Sequence, residues 1–246
     1  MRVLVHGITG HMGQIIASLA QSGFSGATLA GGVSPDVQVE ENNNFKSFST
    51  CNVESDIVVD FSFHGAVKDL MDYCVAKNLP VVVATTGHTE EEKAIIKEAS
   101  ERIPVFYSAN MSIGVATLAD LAKKAAAAFP DADIEIVETH HNRKIDVPSG
   151  TALLLANSIK EARPQSTFNI GRPENGKRTK EEIGIHSVRR GNIAGIHEIL
   201  ISTENETITL KHEAHSRALF AEGALRAASF LIGKEPGLYN MKDMIQ

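Results

Sequence analysis

Met1-Arg2-Val3-Leu4-Val5-His6-Gly7-Ile8-Thr9-Gly10-His11-Met12-Gly13 opens the chain. An apolar run, Val3 to Val5, breaks into a turn with glycines at 7, 10 and 13, and a helical pattern from Met12 to Gln21 follows at once. Strand, glycine turn and helix in that order let a backbone turn tightly and approach a pyrophosphate, whose charge meets free N–H groups and the positive end of the helix dipole. Gly7, Ile8, Thr9, Gly10, His11, Met12 and Gly13 are therefore the candidate phosphate-gripping residues, with Thr9 where the commonest fingerprint has its second glycine. A purely structural turn is the alternative. Its place at the start of a strand–helix repeat favours the dinucleotide. Past the second strand an acidic residue would favour NAD; Ser34 stands near the expected position, Asp36 just beyond it, and no arginine is there to favour a phosphate.

Outward from that turn, apolar runs recur at Val3 to Val5, Ala27 to Ala30, Ile57 to Phe61, Val81 to Ala84 and Val105 to Tyr107. Helical patterns lie between them at Met12 to Gln21, Ala66 to Lys77 and Thr89 to Arg102, with a capping box in Thr89 and Glu92. This alternation predicts a Rossmann-like, doubly wound parallel sheet over roughly Met1 to Ala109, with ligands at the carboxyl ends of the strands. The pattern then changes. A helix over Ile113 to Phe129 leads into the alternating run Asp133 to Thr139, and further strands are predicted at Ile183 to Val188, Ile196 to Ser202 and Thr207 to His212. Strands gathered without intervening helices predict a second, α+β domain with a mixed or antiparallel sheet. Arg163 to Glu182, with five basic residues and little periodicity, reads as a long mobile loop, and Arg217 to Ile232 as a helix able to pack on the first domain.

Composition removes several classes. With 24 Lys+Arg against 30 Asp+Glu and a formal net charge of −6, a nucleic-acid binder is not expected. No apolar stretch approaches the ~20 residues of a membrane span, and the first residues lack the apolar region of a signal peptide, so a cytoplasmic location is expected. Cys51 and Cys74 are the only cysteines, too few for a disulfide framework or a thiolate metal site.

The densest chemistry is Glu138-Thr139-His140-His141-Asn142-Arg143-Lys144-Ile145-Asp146-Val147-Pro148-Ser149-Gly150-Thr151-Ala152. Two histidines, nearby cations and a helix beginning Ser149-Gly150-Thr151 suit a small anion such as a carboxylate, with N–H and hydroxyl donors offered before the helix Ala152 to Lys160. His140 or Lys144 would deliver a proton. Plain surface polarity and a plain helix cap are the alternatives. A metal site is not expected, because successive strand residues point to opposite faces and His140 and His141 would not share one ion.

The string Glu138 to Ala152 resembles that of the dihydrodipicolinate reductase family, also called 4-hydroxy-tetrahydrodipicolinate reductase. So do the turn Gly7 to Gly13, Asp60-Phe61-Ser62, Thr85-Thr86-Gly87, Ala109-Asn110-Met111-Ser112, Ile185-His186-Ser187 with Arg189 and Gly191, and His212 to Gly223. The resemblance implies a dinucleotide-binding domain over residues 1–109 with 217–246 and a substrate-binding and oligomerisation domain over 110–216, hinged near Asn110 and Ser216. It implies His140 as proton donor or acceptor, Lys144 as its partner acid, and His141, Ser149, Gly150 and Thr151 as contacts to the substrate carboxylates. Toward the cofactor, NADPH or NADH, it implies Gly7 to Met12, Phe61, Ala84, Thr85 and Thr86, and Ser108, Ala109, Asn110 and Met111. Met111 stands where many members have Phe, and Ser34 where some have an acid. The implied reaction is reduction of 4-hydroxy-tetrahydrodipicolinate to tetrahydrodipicolinate with loss of water, in lysine and diaminopimelate biosynthesis, by a homotetramer. The rivals are another dehydrogenase on the same two-domain plan and an inert dinucleotide sensor. Neither Cys51 nor Cys74 lies near the expected nicotinamide, which argues against a thioester mechanism.

Overall fold

The computed structural model describes residues 1–245 and divides into two compact units, Met1–Met111 joined by the residues from Ala218 onward, and Ser112–Arg217. In chain order the elements are β1 (Arg2–His6), α1 (His11–Gln21), β2 (Thr28–Val33), β3 (Asn44–Phe45), β4 (Ile57–Asp60), α2 (Val67–Lys77), β5 (Val81–Val83), α3 (Glu90–Ser100) and β6 (Pro104–Tyr107). They continue with α4 (Ile113–Ala128), β7 (Asp133–His140), α5 (Gly150–Ala162), β8 (Thr167–Ile170), β9 (Glu182–Arg189), β10 (Gly195–Ser202), β11 (Thr207–Ala214), α6 (Ala218–Leu231), β12 (Gly237–Tyr239) and α7 (Met241–Ile245).

The first unit is a seven-stranded parallel sheet ordered β12-β6-β5-β4-β1-β2-β3. Its central strands are buried on both faces, which is why they read as unbroken β-branched runs. On one face Leu4, Val58, Val81, Val83 and Val105 meet Leu70, Met71 and Cys74 of α2 and Ile96 and Ala99 of α3. Helices α1 and α6 pack on each other. The sheet winds one way from β1 to β2 and the other way from β1 to β4, so the crevice at the carboxyl ends of β1 and β4 is its topological switch point.

The second unit is a mixed sheet ordered β11-β10-β7-β9-β8, antiparallel across β11-β10-β7 and parallel across β7-β9-β8. One face carries Ile134, Ile136, Ile183, Ile185, Ile199 and Ile201 against α4 and α5, whose Ala119, Ala122, Ala126 and Ala156 keep the packed surface small.

Some expected boundaries move. Strand β4 stops at Asp60 rather than Phe61, and β2 runs on to Val33. The stretch Arg163 to Glu182 is not wholly loop: Thr167–Ile170 forms the edge strand β8 and Glu182 opens β9, and the rest lacks regular structure. The capping box at Thr89 and Glu92 forms as read, each side chain accepting the other residue's backbone N–H. Among the described residues no helix is long and apolar enough to cross a membrane.

Glycine in a helix interior normally costs stability relative to alanine. At Gly223 of α6 that sign reverses, because a Cβ would fall 1.7 Å from the Met111 carbonyl oxygen. Gly223→Ala is expected to destabilise the protein by about 1–3 kcal/mol, the usual range for overpacking, read as a Tm several degrees lower; an unchanged or higher Tm would refute the packing described.

Candidate active site

In the first unit the glycine turn is built by contacts that leave no room for side chains. Gly7 has φ +85°, and a Cβ there would lie 2.5 Å from the Phe61 carbonyl oxygen; at Gly13 it would lie 2.1 Å from the Gly7 carbonyl oxygen. The Gly7 N–H donates to the Val33 carbonyl (2.8 Å) and the Gly10 N–H to the Gly7 carbonyl (3.0 Å), which folds Ile8 inward and leaves Thr9, Gly10 and His11 exposed. Gly10 is the N-cap of α1, without a side chain, and the first helical turn holds no acid, so nothing local neutralises the positive end of the dipole. The cradle fits a pyrophosphate.

Around it, Phe61 lies directly under Gly7, and the Ser62 N–H donates to Thr85 Oγ1 (2.8 Å). Ala84 and Thr85 are buried and Thr86 is exposed. Ser108 donates its hydroxyl to the Asn110 carbonyl (2.8 Å), shaping the turn that contains exposed Ala109. Two further residues of this set are buried. Ser34 is 3% exposed, its Oγ 2.7 Å from Thr9 Oγ1, so it supports the turn. Met111 is 2% exposed and packs inside.

The second unit assembles its chemistry at the end of β7. Period-2 geometry turns Glu138 and His140 to the same face. Glu138 has no exposed surface. His140 Nδ1 donates to its Oε2 (2.5 Å), Arg189 forks onto both oxygens (2.8 Å each), and the Ser149 N–H donates to Oε1 (3.1 Å). Burial alone would raise the Glu138 carboxyl; the bonds from His140 and Arg189, with the Ser149 amide, outweigh it and hold the group well below the usual carboxylate range. With Nδ1 committed to the carboxylate, Nε2 is the ring nitrogen left outside that pair. His197 crosses the His140 ring edge-on at 5.1 Å, and burial pushes it down to about 3, with His140 adding to the shift.

The loop after β7 is stitched to the turn after β9. The His141 N–H donates to the Ile193 carbonyl (2.8 Å), Asn142 to Gly191 (3.2 Å), and Arg189 also reaches the Asp146 carbonyl (2.7 Å). Lys144 Nζ pairs with Asp146 (2.8 Å) and remains partly exposed. His141, half-buried, lies 3.5 Å from Arg217; desolvation, Arg143 and Arg217 all lower its pKa. Ser149 is 1% exposed, its N–H is taken by Glu138, and its hydroxyl caps the Ala152 N–H beside His197 Nε2 (3.2 Å). The first helical positions of α5 are Gly150, exposed, and Thr151, half-buried. Glu138, Arg189 and His197 carried no assigned role in the sequence. The period-2 relation of Glu138 to His140 was the available sign. Among the described residues no group of three or more His, Cys, Asp or Glu is arranged to hold a metal ion.

A glycine cradle at the switch point of a parallel sheet, accompanied by a second unit with a histidine–carboxylate pair, defines a dinucleotide-dependent oxidoreductase. Residues 1–111 match the N-terminal and residues 114–245 the C-terminal region of dihydrodipicolinate reductase, and the chain belongs to that family. It is 43% identical to the 4-hydroxy-tetrahydrodipicolinate reductase of Caldanaerobacter subterraneus over 100% of this chain and 98% of that one. To the same enzyme of Clostridium tetani it is 44% identical, over 100% and 97%. The solved dipicolinate-bound dihydrodipicolinate reductase of a Paenisporosarcina species superposes with a TM-score of 0.83 at 25% identity, covering 100% of this chain and 99% of that one. As a member of this family the chain is a reductase that uses NADH or NADPH.

Removing the charge of Glu138 while keeping its shape isolates the buried pair. Because its folded pKa is depressed, Glu138 contributes stability that is present above its ordinary value near 4.5 and lost as pH falls toward the folded value. His197, also depressed, adds a contribution present above 6.5 and lost toward about 3. Glu138→Gln is expected to cost about 3–5 kcal/mol near pH 7, as for breaking a buried pair, and to lose less further stability than the parent below pH ~5. Urea denaturation at the two pH values measures both; a parallel shift at every pH would contradict the ionised state.

Proposed function

We propose that the chain reduces 4-hydroxy-tetrahydrodipicolinate to tetrahydrodipicolinate with loss of water, at the lysine and diaminopimelate step named for its relatives, with His140 and Lys144 as its proton-handling residues. The observation that carries the residue roles is the anchoring of His140 Nδ1 by a fully buried carboxylate, which fixes the ring and presents Nε2. The reduced dinucleotide supplies the hydride, and the glycine turn of the first unit with Phe61 and Ala84 to Thr86 would hold it.

The remaining work falls to the second unit. The start of α5 at Gly150 and Thr151 offers the positive end of a helix to a substrate carboxylate, and His141 with the nearby Arg143 and Arg217 adds positive potential. Lys144, oriented by Asp146, places a compact cation where negative charge develops on the ring nitrogen, and His140 with Lys144 returns the proton that balances the hydride. Water leaves from ring C4 before the hydride arrives there, so one proton and one hydride enter for each molecule reduced. Glu138 is held as an anchor and not as an acid or base, because both its oxygens are occupied. On this reading the enzyme is cytoplasmic and a homotetramer formed through the second unit's sheet.

A coupled assay supplying pyruvate, aspartate semialdehyde and the upstream synthase tests the substrate. His140→Ala and Lys144→Ala are each expected to lower kcat about 100-fold or more, the range for general acid–base groups, with dinucleotide affinity retained; unchanged turnover in both refutes the roles. Sedimentation equilibrium checks the assembly, expected near four times the 26.5 kDa chain mass.

A further inference from the structure

We propose that His197 of β10 is a positioning residue for this reaction, holding the ring of His140 and the start of α5 in one fixed geometry. The inference rests on the reduction proposed above and names the side chain that ties its proton-handling histidine to the helix start that meets the substrate carboxylate. In the antiparallel pairing of β10 with β7, His197 stands directly opposite Glu138. Residues so paired project from one face of a sheet and touch. Nearby on the same strand Gly195 comes against His140, where a Cβ would lie 3.0 Å from Nε2 and 3.7 Å from His197 Cε1. Strand β10 thus frames the ring: Gly195 leaves Nε2 uncovered, and His197 fills the space beside it.

The contacts of His197 close a circuit. Glu138 accepts from His140 Nδ1 at Oε2 (2.5 Å) and from the Ser149 N–H at Oε1 (3.1 Å). His197 joins those two donors to each other: its ring is set at 74° to that of His140 with centroids 5.1 Å apart, and its Nε2 lies 3.2 Å from Ser149 Oγ. Without it, each would meet the cluster through the carboxylate alone. A ring held at one nitrogen can still tilt about that bond, and a second ring packed edge-on against it removes the freedom. Because the Ser149 oxygen also accepts the Ala152 N–H (3.2 Å), the bond to His197 fixes the cap from which the first turn of α5 starts.

Mere filling of the core does not account for this residue. His197 is 4% exposed, burial keeps it uncharged, and its Nδ1 meets no hydrogen-bond partner among the described residues. The Ser149 hydroxyl and the ring N–H are two donors at one contact, so whichever gives its proton across it leaves the other unpaired. A buried polar ring with an unpaired group is a costly space filler. What it supplies beyond volume is the bond to Ser149 and a flat, neutral neighbour for the ring that handles the proton.

Two substitutions separate the contacts, with pyridine-2,6-dicarboxylate, a stable planar ring bearing two carboxylates, as the binding probe. His197→Gln keeps a group able to bond Ser149 and removes the ring. Its kcat is expected to fall about tenfold or more, since displacing a catalytic group by about 1 Å costs on the order of 100-fold, while probe affinity stays near that of the parent. His197→Phe keeps a ring beside His140 and removes Nε2. Its probe affinity is expected to fall about fivefold, the loss of one ordinary hydrogen bond, with the smaller loss in kcat. Calorimetry on the full chain and steady-state rates measure both, with Tm recorded for each variant. Unchanged kcat and affinity in both variants overturn the proposal, as does an equal loss of both parameters in each, which marks general loosening. Where neither variant folds, nitrogen NMR of the histidine rings in the parent decides: saturation with the probe is expected to shift the His197 signals together with those of His140, and His197 signals that stay in place overturn the proposal. A parent that neither turns over the substrate nor binds the probe overturns the proposed reduction as well.

Discussion

A carboxylate taken wholly out of water has to be met by donors on nearly every lone pair, or it costs several kcal/mol and takes up a proton. Glu138 meets that demand with His140, Arg189 and the Ser149 amide. Each donor belongs to a different segment: the end of β7, the end of β9 and the start of α5. Satisfying one buried charge therefore fixes three things at once: the orientation of a histidine, the position of a helix N-terminus, and, through the second bond of Arg189 to the Asp146 carbonyl, the loop that carries Lys144. The chemistry of the second unit is a consequence of that requirement.

The first unit solves a similar problem with Asp60. Its side chain is 3% exposed; Oδ1 lies 2.8 Å from His6 Nδ1 and accepts from the Ser62 hydroxyl (2.5 Å) and the Ser62 N–H (3.2 Å). His6 ends β1 immediately before the glycine turn, and Asp60 ends β4 immediately before Phe61; the Phe61 N–H donates back to the His6 carbonyl (3.1 Å). Two adjacent parallel strands are thus locked at their carboxyl ends, which is where the Gly7 backbone approaches the Phe61 carbonyl. The close approach demands glycine, and the pair beneath it keeps the two strand tips from drifting apart.

Period and punctuation made the larger elements legible. Val3 to Val5 and Val81 to Val83 are buried on both faces, so composition alone announces them, and Thr89 with Glu92 announces a helix start through a purely local bond. Strands β3 and β12, of two and three residues, are too short to show a period, and they exist because a neighbouring strand offers an unpaired edge. Thr167–Ile170 was hidden for the same reason: its residues are exposed or half-exposed at the sheet edge, among prolines and glycines that signal loop. In the site, the glycine turn and the His140 to Thr151 string were legible as motifs. The burial of Glu138 was not, because its main partner Arg189 lies 51 residues away and only the sheet register brings the two together. Ser149 shows the converse. A serine before a helix reads as an outward donor, yet the same hydroxyl that caps α5 is turned inward by the carboxylate that claims its N–H.

The arrangement also limits how many protons the cluster carries. Glu138 is ionised and Arg189 is permanently cationic, so the pair is neutral and His140 sits beside a balanced charge. His197 is packed against the His140 ring, and burial together with that ring keeps it neutral until about pH 3. Two adjacent buried histidines cannot both be charged without a second counterion, and none is present among the groups that touch them. The His140 ring turns Nδ1 to Glu138 and Nε2 away from it. His197 Nε2 is met by the Ser149 hydroxyl at the head of the helix that the same carboxylate positions.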